Sequence, residues 1–504
     1  MAYTTMAVID TMTDPLIVTM ALYFIATIAV ALWFGRHAGE DYISFTLAGR
    51  DLGLFVYMMT YFATFVGGGL IMGVAQEAFI DGISAQWYAM TQGLAWITIT
   101  ILIGFLYSFK VVSVPELLGR VFGRYTQFFA AIFTVIGQVA LTAGQTIGMA
   151  SIIAVATDIP LDVAFWVSVA VFIAITAYGG MASVAWADAF HGVLIIVGMV
   201  IAIPMAVSNA GGLGTISGGV PDPHLSWFGV GLIQIGSWYL MYITVAGANQ
   251  QMLQRTWSAK SRRVAILGTF LAGSVIVGFG ILTATAGMIA NAHGANIDSS
   301  MAFAWTLTEM LPPVFAGLLL AASVAAVMSG ADSFLLAGAT TFVNDLYIPL
   351  RGGRKRLSDK HLVLMTRLTI IGFGVFAALI AQTGIEIVAI NTLGMGVMSI
   401  LFAGILAMLW EKTTRQSALP AFVVGGTVVF IWGVVLGEPE LLGQGSLETA
   451  VPATAATLIV IAVLSYAGYG ERFDVDEVRE AAAAQMQEIR DERTEQITAT
   501  DDDD

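Results

Sequence analysis

Two carboxylates stand in stretches that are otherwise almost wholly apolar. Asp188 lies in YGGMASVAWADAFHG and Asp332 in AAVMSGADSFLLAG. A charged side chain inside a bilayer is costly and marks an ion or proton site by default. Ser329 and Ser333 are four residues apart with Asp332 between them, so all three share one helical face. Hydroxyl and carboxylate oxygens are hard ligands of the kind a small alkali cation prefers. The alternative is a serine-lined packing face with a solvated aspartate. A second group is a row of amides and hydroxyls: Gln138, Thr142, Gln145 and Thr146, at i, i+4, i+7 and i+8 on one helix face. Gln86, Gln92, Tyr239, Tyr242 and Asn391 are further polar groups within apolar stretches. Each could contact a polar solute or form a hydrogen bond between helices.

These groups need elements that hold them at membrane depth. The chain has 504 residues, 58% hydrophobic and only 11% charged. A soluble domain is about 25% charged, so a soluble enzyme is excluded. There is no cysteine, which removes disulfides, thiolate metal sites and cysteine nucleophiles. The first 15 residues lack the charged start of a signal peptide, so the first apolar stretch reads as a retained helix.

Hydropathy places thirteen spans near 16–34, 52–78, 85–107, 125–155, 161–178, 183–208, 228–247, 263–291, 313–341, 361–383, 385–410, 417–436 and 450–468. With the N-terminus outside, all 21 basic residues fall on inner segments or at the inner ends of helices, as the positive-inside rule requires. The expected domains are an extracellular 1–15, a transmembrane 16–468 and an acidic cytoplasmic tail, 469–504. That tail carries thirteen acids against four arginines, out of a net charge of −14. It reads as a solvated helix with a frayed end or as a partner-binding segment. Residues 301–311 read as an amphipathic outer helix, and 114–123 as its inner counterpart.

Broken helices survive in lipid only around a cavity. Gly67, Gly68 and Gly69 interrupt the second span, and Gly229, Gly231 and Gly236 lie in or beside the seventh. Five spans separate the two sets, the spacing expected of the first helices of two inverted five-helix repeats. Close helix packing would also use such glycines, and the intramembrane carboxylates tip the reading toward broken helices.

Four stretches resemble the sodium/solute symporter family, which includes sodium-coupled proline, pantothenate, sugar and sialic acid transporters. They are AGRDLGLFVYMMTYFATFVGGGLIMG (48–73), YGGMASVAWADAFHG (178–192), NQQMLQRTWSAKS (249–261) and AAVMSGADSFLLAGATTFVNDLY (325–347). The resemblance implies an all-α polytopic membrane protein in the cell membrane. Its LeuT-type 5+5 inverted-repeat core would occupy spans two to eleven, about 52–410. It also implies a sodium site made by the carbonyls of Ala63, Val66 and Ala326 and the hydroxyl of Ser329. The next family position usually adds a hydroxyl, and here it is Gly330. Asp188 matches an aspartate that in some members helps bind a second sodium with hydroxyls near Asp332 and Ser333. Either a second ion or a proton would sit there. His191 stands where glutamine is common, as a neutral structural donor or a titrating group. The cavity would lie against the broken helices at Gly67 and Gly68, with no intramembrane lysine or arginine beside it.

The leading function is sodium-coupled import of a small organic solute, with Na+ as coupling ion, a lipid bilayer as surroundings, and neither an organic cofactor nor a nucleic acid. A proton-coupled carrier of the same fold is the alternative. A sensor without net transport is another, but the 34 residues from Glu471 onward are too few for a signalling kinase. A channel and a membrane-embedded enzyme fit less well: paired broken helices suit a carrier, and the five histidines show no metal spacing.

Overall fold

The structure, a computed structural model, describes residues 15–36, 39–157, 161–383, 387–441 and 445–481. Among these the regular elements are helical, with only three isolated β-bridges. Backbone groups in lipid have no water to bond, and helices satisfy them internally. Seven helices are long and apolar enough to cross a membrane, and five shorter apolar helices accompany them. Their outward faces expose Leu22, Ile25, Ile101, Phe376, Ile459 and Val463, the surface that lipid tails would cover.

In chain order the helices are α1 (Pro15–Gly35), α2 (Tyr42–Leu47), α3 (Leu54–Phe65), α4 (Val74–Asp81), α5 (Gln86–Tyr107), α6 (Val114–Phe122) and α7 (Arg124–Thr157). There follow α8 (Leu161–Asn209), α9 (Leu213–Gly219), α10 (Leu232–Ala248), α11 (Gln250–Ser258), α12 (Arg262–Ala292) and α13 (Ala302–Met310). The last are α14 (Pro313–Thr341), α15 (Asp359–Ala381), α16 (Ile387–Ala407), α17 (Ala418–Val429) and α18 (Ala450–Tyr466). The short helices expected near 114–123 and 301–311 are α6 and α13. Serine 113 caps α6 through its hydroxyl, and Pro115 begins the helix without needing an amide partner.

Three interruptions position the site. The α3 ladder stops at Phe65, and Val66 (φ −78°, ψ 56°) turns the chain away before a π-helical turn, Gly69–Gly73, leads into α4. The second lies at Gly180 inside α8, with φ 51° and ψ −143°. A Cβ there would meet the Phe45 carbonyl oxygen at 2.3 Å, so the kink requires glycine. The third differs from expectation. The seventh span is helical through Gly236, and the break falls at Asn249, which is extended (φ −66°, ψ 124°) between α10 and α11. The asparagine side chain explains the shift: its Oδ1 accepts the Gln251 amide at 3.1 Å and restarts the helix, while Gly236 keeps its place in α10.

α14 is the central strut. It packs against α7, α8 and α1, and every residue from Leu319 to Thr341 is buried. α3 lies between α8 and α12, and α10 lies against α5 and α16. Isolated backbone pairing of Leu52 with Ala259 ties the start of α3 to the end of α11.

Candidate functional site

The break after α3 faces the middle of α14. A Cβ on Gly67 would lie 3.8 Å from the Ala326 carbonyl oxygen, and one on Gly68 would lie 3.4 Å from the Val327 side chain. Ala63, Val66, Ala326, Ser329 and Gly330 are all buried there. Because α3 ends at Phe65, its last carbonyls lie past the end of the helical ladder and are free to face another partner. Gln145 of α7 closes the third side. Its Oε1 would lie 3.2 Å from a Cβ on Gly67, and its Cδ 3.3 Å from a Cβ on Gly330. The Gln145 side chain therefore fills the space beside Gly330.

Asp188 is surrounded by donors. Thr60 donates to its Oδ2 at 2.5 Å, Thr64 approaches the same oxygen at 3.3 Å, and Ser329 donates to Oδ1. The Arg255 guanidinium completes the cluster with Nη2 2.9 Å from Asp188 Oδ2. Arg255 also donates to Thr60 Oγ1 at 2.9 Å, to Ser333 Oγ at 2.5 Å and to the Gln251 carbonyl at 3.1 Å. This corrects the expectation that no basic residue stands near the cavity. Arg255 is the only buried lysine or arginine among the described residues. Counting it with the inner loop had placed its charge at its Cα, whereas α11 is tucked inside the bundle and every one of its side chains is buried.

The Asp332 side chain shares no hydrogen bond with this cluster among the described residues. Its Oδ1 accepts a 3.0 Å bond from Thr176 of α8, and it makes no ion pair among the described residues. Ser333, in contrast, belongs to the Asp188 cluster through Arg255 and through a 3.4 Å contact with Thr64. His191 is fully buried, with Nδ1 2.7 Å from the Tyr23 hydroxyl.

The candidate solute contacts divide. Gln138 is buried and donates to Asn249 Oδ1 at 3.0 Å, linking α7 to the α10–α11 break. Thr142 and Thr146 spend their hydroxyls on carbonyls of their own helix, both at 2.8 Å. Gln86 and Gln92 are buried in α5. Neither amide atom of Gln86, nor Nε2 of Gln92, finds a hydrogen-bond partner among the described residues. Tyr239 turns to α5 and meets Thr98 Oγ1 at 2.8 Å. Tyr242 faces inward, its ring 5.4 Å from that of Tyr88. The side chain of Asn391 lies outside the described residues.

The sequence reading missed Thr60, Thr64, Thr176, Tyr88, Trp238 and Arg255. Thr60 and Thr64 carried a usable signal, since hydroxyls at i and i+4 just before a glycine break share one face. Arg255 lay within one of the motifs already singled out.

The family model described as "Sodium:solute symporter family" matches residues 45–220 and 223–425. The sodium/proline symporter of Escherichia coli (strain K12) is 25% identical over 454 residues, covering 83% of this chain and 88% of that protein. The high affinity choline transporter 1 of Homo sapiens is 25% identical over 466 residues, covering 85% and 78%. A solved structure of a Na+-coupled sialic acid symporter, in a substrate-bound outward-open state, superposes with TM-score 0.76 at 18% identity, covering 92% of this chain and 99% of that one. The nucleobase-cation-symport-1 transporter Mhp1, in a closed conformation, gives TM-score 0.54 at 13% identity, covering 87% and 97%. At these identities the solved structures establish the fold, that of helical cation symporters. With the family match over most of its length, the chain belongs to the sodium:solute symporter family, and it is a multi-pass membrane transporter rather than an enzyme.

Proposed function

We propose that this protein imports a small organic solute together with sodium by alternating access, across thirteen spans with the N-terminus outside and the C-terminus inside. The observation that carries the reading is the break at Val66–Gly67 set against Ala326 and Ser329 of α14. Carbonyls past the end of the α3 ladder lie beside the segment of α14 that carries the Ala326 carbonyl and Ser329, a donor set suited to a dehydrated alkali ion. Sodium bound between Ala63, Val66, Ala326 and Ser329 would tie α3 to α14. It would thereby favour the state in which the solute cavity is completed, which is what coupling requires. Relatives of this chain are named for proline and for choline, so the solute class varies within the family.

Asp188 supplies the link to the inner side. Arg255 neutralises it in this structure, and a second cation at Asp188, Ser329 and Ser333 would have to displace the guanidinium. Displacement would loosen α11 from the bundle, so ion arrival at Asp188 and movement on the inner face would be one event. Asp332, hydrogen-bonded to Thr176, plays the lesser part in this second site. The proton-coupled alternative rests on Gly330, which removes one oxygen from the sodium shell.

Replacing Ser329 with alanine tests the site. The sodium concentration for half-maximal uptake should rise while solute affinity at saturating sodium stays near that of the parent. An unchanged sodium dependence would place the ion elsewhere.

A further inference from the structure

Above the break in the first core helix, three rings form a corner. Tyr88 of α5 meets Trp238 of α10 with ring centroids 5.2 Å apart and planes at 90°, and Tyr242 with centroids 5.4 Å apart at 72°. A Cβ on Gly69 would lie 4.0 Å from the Tyr88 hydroxyl, so this corner borders the interrupted segment after α3. Phe65 and Met395 complete the apolar surroundings.

One carboxylate attends the corner. Glu448, just before α18, is half-buried and acts electrostatically on both Tyr88 and Tyr242. Its partners are neutral side chains. Gln234 Nε2 donates to its Oε1 at 3.3 Å, its backbone amide donates to Ser237 Oγ at 2.7 Å, and Trp238 supplies a further polar contact. The charged group acting on it is another acid, Glu438. The one buried arginine among the described residues is committed to Asp188. The corner therefore combines aromatic rings, a carboxylate without a cationic partner among the described residues, and no base to receive an anion. Ring faces attract cations through their quadrupole, and desolvation strengthens that attraction. An anionic solute would meet only repulsion from Glu448.

We propose that the transported solute bears a positively charged nitrogen, an organic ammonium, and that Tyr88, Trp238 and Tyr242 together with Glu448 hold that nitrogen. This rests on the symporter reading and adds the chemical class of its solute. Glu448 acts as the counter-ion and the rings as the cage; the sodium site near Ser329 is separate.

The test uses the full chain in nanodiscs, titrated calorimetrically with tetramethylammonium chloride at constant sodium and ionic strength. The same samples are melted in sodium and in potassium. The parent protein should bind tetramethylammonium saturably and melt higher in sodium. Glu448→Gln should weaken ammonium binding by about tenfold or more while keeping the sodium shift. Tyr88→Phe keeps the ring and should bind as the parent does, and Tyr88→Leu should lose affinity; this pair decides the matter if the glutamine variant does not fold. Choline should bind more tightly than glycine betaine, whose carboxylate faces Glu448. A sodium shift without ammonium binding, ammonium binding indifferent to Glu448→Gln, or a preference for glycine betaine overturns the solute class and leaves sodium coupling standing. Absence of any sodium shift in the parent protein overturns the symporter reading and this proposal with it.

Discussion

Arg255 and Asp188 form an ion pair with Nη2 and Oδ2 2.9 Å apart and both side chains 1% exposed. They come from different ends of the chain's logic: Asp188 from the kinked α8, Arg255 from the short helix that follows the Asn249 break. A pair removed so fully from water stabilises only through excellent geometry, and its members are strongly interdependent. Here Thr60, Ser329 and Ser333 supply that geometry. The pair thus joins α8 to α11 across the bundle.

Removing one partner should expose this interdependence. Arg255→Ala leaves a buried carboxylate without its cation and should destabilise the protein by about 3–5 kcal/mol in potassium. Sodium should recover more of the melting temperature in Arg255→Ala than in the parent, because the vacated space suits a cation. Asp188→Asn combined with Arg255→Gln should cost less than the sum of the single changes. Thermal unfolding in sodium and in potassium reads all three, and additive losses with equal sodium shifts would show the two residues acting independently.

Asp332 provides the contrast. Its observed partner is the neutral Thr176 hydroxyl, and asparagine can still accept that bond. Asp332→Asn should therefore fold normally and affect coupling far less than Asp188→Asn. Initial uptake rate against sodium concentration measures this. Equal damage from both changes would mean that the two carboxylates share one function.

Gly330 is a packing question as much as a ligand question. A serine Cβ would meet Gln145 Cδ at 3.3 Å, closer than ordinary contact, so the amide must give way by a few tenths of an ångström. Gly330→Ser alone should cost about 1–3 kcal/mol through overpacking. Paired with Gln145→Ala, which clears the space, the new hydroxyl should lower the sodium needed for half-maximal uptake. Failure of the double variant to tighten sodium dependence would mean that position 330 does not face the ion.

How much of this was legible in the sequence depends on what each residue type reveals alone. The break at Gly67 and Gly68 was legible once three successive glycines, which close packing would also use, were weighed with the intramembrane carboxylates. Asp188 was legible because a carboxylate there is costly. The second break was not, because Asn249 works through its own side chain as a cap, and a single asparagine at a helix end looks like a loop. Tyr239 and Tyr242 are equally plausible cavity residues by type; only packing turns one to Thr98 and the other to Tyr88. Long side chains defeat topology counting in the same way, since a basic residue assigned to the inner side can deliver its charge well inside the bundle, as Arg255 does.

Glu448 predicts a pH dependence. Burial, aided by the negative charge of Glu438, pushes its carboxyl up to about 7 from an ordinary 4.5. The groups facing it are Gln234 and Trp238 of α10, Glu438 of its own loop, and the Tyr88 and Tyr242 hydroxyls. A carboxyl raised by folding favours the protonated form, so its charge costs stability as pH climbs from 4.5 through about 7. A bound ammonium favours the ionised form instead. Ammonium affinity should therefore strengthen as pH rises through about 7, with proton release on binding, and Glu448→Gln should flatten the profile. Calorimetry in two buffers of different ionisation heat detects the proton, and an identical profile in the variant would contradict the assignment.

Sodium coupling is tested most directly by initial uptake of labelled solutes, choline among them, into proteoliposomes containing the purified protein. An inward sodium gradient is compared with an inward proton gradient in sodium-free medium. The account predicts accumulation above equilibrium with sodium, abolished when sodium is equal on both sides and shifted to higher sodium by Ser329→Ala. Accumulation driven equally well by protons alone, with sodium absent and Ser329→Ala without effect, would contradict it.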